Sequence, residues 1–227
     1  MKTALRLAPV LILASALAAQ TRPQIRAAGQ GIVSVKPDQL KLSLAVQTQA
    51  ATADEAATQN STRVTAVLAA VRNILGQDAD IRTIGYSLNP NYRTPTMGGQ
   101  PVVVGFIATN TVEVTTQDLG AAGKLIDASI QAGATNVQGL RFGLRDPEPV
   151  RRQALRLATT QARADVEAIA AGLNARLGMV LSAEESSAVS SFPSFDSRVA
   201  GGAATPVETG NVEVSATVVL TMEIAGQ

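Results

Sequence analysis

The chain has 227 residues, no cysteine, no histidine and a formal net charge of +1. The two absences exclude Ser-His-Asp and Cys-His catalysis, thiol redox chemistry and zinc sites built on nitrogen and sulfur. The length can bury a core without disulfides, and the near-neutral balance gives no electrostatic case for nucleic acid or anionic lipid as a partner.

Residues 1–19 read as an export signal. Lys2 and Arg6 form a positive start, Leu7 to Leu17 an apolar stretch, and Ala16-Leu17-Ala18 a small-x-small cleavage site. That order is the pattern of a secretory signal peptide. The stretch is shorter than the about 20 residues a transmembrane helix needs. No later run is long and apolar enough to span a bilayer, so the mature chain is expected outside the cytoplasm. Losing Lys2 and Arg6 takes the basic count from 19 to 17 against 18 acidic residues, a net of about −1.

Residues 20–30 are polar and predicted to be flexible, with a folded domain from 31 to 227. Residues 31–49 read as a hairpin. A β-type run stops at Pro37-Asp38, and Leu40, Leu42, Leu44 and Val46 then alternate with polar or small residues. Thr52 and Glu55 form a capping box, and Val64, Val67, Leu68, Val71, Ile74 and Leu75 follow helical spacing up to Gly76. A helix is predicted over 53–75.

Two strands, 81–92 and 102–115, flank a Gly/Pro-rich loop. A second helix is predicted over 116–130 and a strand over 136–145. Asp146-Pro147-Glu148-Pro149 starts a third helix, predicted to run to Leu177 and stop at Gly178, with an alanine-rich stripe. A strand over 179–185 follows. The Ser/Gly/Ala/Pro-rich segment 186–206 is predicted to be a mobile loop. Val212 to Ile224 alternate as a long final strand, about 40 Å at 3.3 Å per residue, which invites pairing with another chain. The class is α+β. The expected order is β-β-α-β-β-α-β-α-β-β, a mostly antiparallel sheet with three helices on one face.

The residues offer little chemistry. Asp54-Glu55 suits a helix N-terminus, where negative charge is favoured, and Glu184-Glu185 borders the loop. Gly98-Gly99 lacks the Lys-Ser/Thr of a phosphate loop and joins two strands. Arg151-Arg152 could bind an anion or form a solvated helix face. A hydrolase using carboxylates alone is the remaining catalytic option, without a pair to support it. No catalytic, cofactor or metal residue is therefore assigned. Six aromatics are too few for a stacking surface or for the girdles of an outer-membrane barrel. Phe192 and Phe195 lie in the loop, either as a partner contact or as side chains folded back into the protein.

Taken in order, several short motifs resemble the SIMPL-domain family of exported bacterial envelope proteins. They include Gly29-Gln30-Gly31 with Val33 to Asp38, Ala53-Asp54-Glu55-Ala56 with Asn60, and Asp80-Ile81-Arg82-Thr83. Leu88-Asn89-Pro90 with Tyr92, Gly105 to Asn110, Asp118-Leu119, Leu125-Ile126-Asp127 and Gly133-Ala134 follow. Phe142, Ala154-Leu155, Leu177-Gly178 and Thr205-Pro206-Val207 complete the series. The resemblance implies a periplasmic or envelope-associated α+β protein that forms homo-oligomers, and peripheral association with the outer membrane is a further expectation. It also implies loose links to oxidative-stress defence and immune recognition, and it supplies no catalytic residue. The leading expectation is a non-enzymatic, self-assembling envelope protein with an indirect role in envelope integrity or stress defence. The alternative is a periplasmic binding or accessory module that grips another envelope protein through the 186–206 loop.

Overall fold

The computed structural model describes residues 22–77, 79–94, 98–185, 191–194 and 207–225, the 191–194 stretch by its backbone. The predicted signal lies outside them. The strands are β1 (Gln24–Val35), β2 (Gln39–Ala50), β3 (Asp80–Arg93), β4 (Val102–Thr116), β5 (Asn136–Gly143), β6 (Arg176–Glu185), β7 (Ser191–Ser194) and β8 (Asn211–Ala225). The helices are α1 (Ala53–Leu75), α2 (Ala122–Gln131) and α3 (Glu148–Gly172). The class is α+β and the element order is the expected one, with the short β7 added.

The strands form two antiparallel sheets. One has the order β3-β4-β2-β5; the other has the order β1-β8-β6, with β7 also on β8. In the first, Leu40, Leu42, Leu44 and Val46 of β2 are fully buried with Val67 and Val71 of α1 and Leu125 of α2. Each such side chain contributes roughly 1.5–3 kcal/mol. Asn60 of α1 is buried, and its Nδ2 donates to the carbonyl oxygens of Val46 (2.8 Å) and Ala108 (3.2 Å). One side chain thus ties the helix to two neighbouring strands.

The second sheet carries α3, and its core is made of small residues. Ala154, Ala158, Ala162, Val166 and Ala170 recur at helical spacing and are buried. Gly29 and Gly31 of β1 lie beneath them. A methyl group at Gly29 would collide with the backbone of Ala158 and Ala162, and one at Gly31 with that of Ala154 and Ala158. The helix can sit this low only because β1 has no Cβ at these points.

Several boundaries differ from the sequence reading. Residues 31–49 are not a hairpin: β1 pairs with β8 along its whole length, and β2 pairs with β4 and β5. Tight hairpins need left-handed turn residues such as Asn-Gly, which Lys36-Pro37-Asp38 does not supply. The three residues carry the chain from one sheet to the other. Asp38 N–H donates to the Gly143 carbonyl oxygen at 3.0 Å, and its Oδ1 accepts from Arg145 N–H at 2.7 Å.

Strand β1 starts at Gln24, inside the segment expected to be flexible, because Ile25 is buried against the α3 core. Helix α2 starts later than expected, after a 3-10 turn at Leu119–Ala121, since Thr116 still belongs to β4. Helix α3 ends at Gly172 rather than near Gly178. Asn174 turns the chain with φ of 53°, and Arg176 already pairs with Ala225.

Strand β8 is long, as read, but it is not an edge. β1 lines one side, while β6 and β7 line the other. Of the 186–206 loop, Ser191–Ser194 form β7 opposite Val214 to Asn211. The rest lies outside the described residues.

Candidate functional site

Among the described residues no group of three or more acidic side chains is placed to hold a metal ion. The acidic pairs singled out in the sequence sit at a helix start and a strand end, and of their carboxylates Glu185 is engaged in an ion pair. Thr52 Oγ1 accepts from Glu55 N–H at 3.3 Å and caps α1. Glu185 takes the Arg151 guanidinium at 2.6 Å, and Arg151 also reaches Glu148 at 3.5 Å. That tie joins α3 to β6 and occupies Arg151, the better placed half of the candidate anion pair; Arg152 is exposed beside it. Gly98-Gly99 lies in the β3–β4 connection.

Two concave surfaces among the described residues are candidates for a site. One, of about 380 Å³, lies where β2 and β3 begin and β4 ends, with Gln39, Asp80, Thr115, Thr116, Gln117 and Arg145 among its lining residues. Asp80 is engaged by Arg82 at 3.0 Å, and no nucleophile there is paired with a base. The other, of about 470 Å³, runs along α3 between Leu155, Arg156, Thr159, Thr160 and Arg163. Its threonine hydroxyls donate to the Leu155 and Arg156 carbonyl oxygens, and Arg163 pairs with Glu167 at 2.9 Å. Both are shallow; the first is mainly polar and the second mainly apolar, and Asp80 in the one and Thr159, Thr160 and Arg163 in the other are already engaged within the fold.

Of the two aromatic candidates, Phe192 sits in β7 with its backbone opposite Glu213; Phe195 lies outside the described residues.

Exposed apolar side chains are the more distinctive surface. Around the turn from α3 to β6, Ile169, Leu173, Met179, Val180 and Leu181 are all exposed, Met179 at 62%. β6 ends its sheet, so its outer edge has no strand beside it among the described residues. Arg176 and Glu184, both exposed, border this apolar end with charges of both signs. Exposed apolar side chains interspersed with charges are a composition that suits a protein–protein contact. The alternation and helical spacing that mark a buried face also run through this stretch, and sequence alone does not separate the two cases.

A profile of the SIMPL family, described as a protein of unknown function, matches residues 25–222. The 26 kDa periplasmic immunogenic protein of Brucella melitensis biotype 1 is 30% identical over 169 residues, which cover 73% of this chain and 68% of that one. The protein of the same name from Brucella abortus (strain S19) matches to the same extent. The uncharacterized protein YggE of Escherichia coli (strain K12) is 26% identical over 160 residues, covering 70% of this chain and 64% of that protein.

Proposed function

We infer, from the premise that this chain belongs to the SIMPL family, that it is a non-enzymatic protein of the periplasm or cell envelope that assembles with copies of itself. Its role in envelope integrity or stress defence is indirect, since a chain without cysteine has no thiol with which to reduce peroxide. The observation that carries the assembly reading is the apolar end at Ile169, Leu173, Met179, Val180 and Leu181. A second copy is the occupant argued for, because Arg176 and Glu184, exposed on either side of Met179–Leu181 in the sequence, offer both signs of charge to an identical surface. Light scattering on the mature chain is expected to give a mass several times that of one chain; a strict monomer at high micromolar concentration overturns the reading.

The periplasmic address is supported by the name of the Brucella relatives and by the export signal at 1–19. Contact with the outer membrane from the periplasmic side belongs to the same reading. N-terminal sequencing of the exported protein checks the signal: the first residue should follow Ala18 closely.

The accessory-module alternative uses the 186–206 loop, with Phe192 and Phe195 as contacts. Pairing of Ser191–Ser194 with β8 keeps these four residues on the sheet, so residues 195–206 can be deleted with β7 left in place. Assembly that survives this deletion while a co-purifying envelope protein is lost favours the alternative.

A further inference from the structure

The β3–β4 hairpin is longer than the sheet that supports it. The last pair between β2 and β4 is Ala50 with Phe106, yet β4 continues back to Val102, still paired with β3 at Arg93. Beyond Phe106 the hairpin is thus a two-stranded arm with no third strand beside it among the described residues. Val102, Val103 and Val104 are consecutive and are 58%, 45% and 39% exposed. Successive residues of a strand point to opposite faces, so both faces of the arm are bare. Tyr86 and Tyr92, at 55% and 58%, and Ile84 and Leu88 extend the apolar surface along β3.

Charge separates this surface from the rest of the molecule. All 18 acidic residues of the chain lie outside Ile81–Val112, whose only charged residues are Arg82 and Arg93. Arg82 is held by Asp80 at 3.0 Å; Arg93 has no acidic partner among the described residues. The near-neutral total hides this asymmetry.

We propose that the β3–β4 arm docks on a lipid bilayer, seating its tyrosines and valines at the headgroup boundary and placing Arg93 against anionic headgroups. The ring of tyrosine is apolar and its hydroxyl polar, which suits that boundary. A surface bare on both faces matches a wedge entering an interface better than a flat contact with one protein. Addition of a strand from another chain is opposed by Pro90, which brings no N–H to the ladder, and by the irregular register at Asn91/Tyr92. Docking is shallow, because the outer edge of β3 carries backbone groups that hydrocarbon would leave unpaired.

The chain has no tryptophan and two tyrosines, both on β3, so tyrosine emission reports on β3 alone: Tyr92 on the arm and Tyr86 where the surface continues along the strand. The test mixes the mature chain with vesicles of phosphatidylethanolamine and phosphatidylglycerol, and separately with phosphatidylcholine vesicles. Sedimentation with the mixed anionic vesicles and loss of acrylamide quenching of tyrosine are expected together. Tyr92→Ser with Val103→Ser should weaken vesicle binding by at least about tenfold, with an unchanged far-ultraviolet dichroism spectrum, since both sites are exposed. Arg93→Gln should weaken binding to anionic vesicles by about fivefold and leave phosphatidylcholine binding alone. No sedimentation of the unaltered chain, or sedimentation without protection of the tyrosines, overturns the proposal. So does an arm variant that dissociates the assembly in the absence of lipid, which would assign the arm to a second copy.

Discussion

Asn60 links α1 to β2 and β4 through two hydrogen bonds made where water does not reach. Removing the carboxamide leaves the Val46 and Ala108 carbonyl oxygens without that donor. Asn60→Ala is expected to lower stability by about 1–3 kcal/mol, read as a drop in the urea midpoint with an unchanged slope. Gly31→Ala tests the other core. The added methyl meets the backbone of Ala154 and Ala158, which cannot move like a side chain. A loss of about 1–3 kcal/mol is expected, measured in the same way; stability equal to the parent would show that α3 can lift off β1 at no cost. Both residues could be picked out in the sequence as parts of short motifs. Their physical roles could not, because each depends on an element far away in the chain.

At the scale of elements, local chemistry decides what could be read. Helix α1 runs over Ala53–Leu75 as predicted, because Thr52, Glu55 and Gly76 mark its two ends by their own hydrogen bonds and dihedrals. Thr52→Ala should cost about 1 kcal/mol, visible as a lower midpoint in thermal or urea unfolding. Helix α3 was legible at its start and in its alanine stripe but not at its end. Leu173 and Leu177 continue an apolar spacing, while the actual stop depends on Asn174 and on Arg176 pairing with Ala225. The β1–β2 step was misread for a similar reason. Alternation marks both strands correctly, but the partners of β1 lie at the other end of the sequence. Strand pairing over such distances leaves no local trace.

At the scale of the whole molecule, the two ends of the described chain close one sheet on each other, and the middle builds the second. This changes where an assembly contact can lie. The long β8, which the sequence offers as an open edge, is enclosed on both sides. The exposed apolar end at α3 and β6 takes its place, and the reading that this chain works by assembling with itself rests there. The direct measurement is light scattering on the mature chain beside a Leu173→Ser, Met179→Ser, Leu181→Ser variant. All three side chains are exposed in the single chain, so the variant should keep its fold. The account predicts an oligomer for the mature chain and a monomer for the variant. A mature chain that stays monomeric at high micromolar concentration, or a variant that assembles as well as its parent, would contradict it.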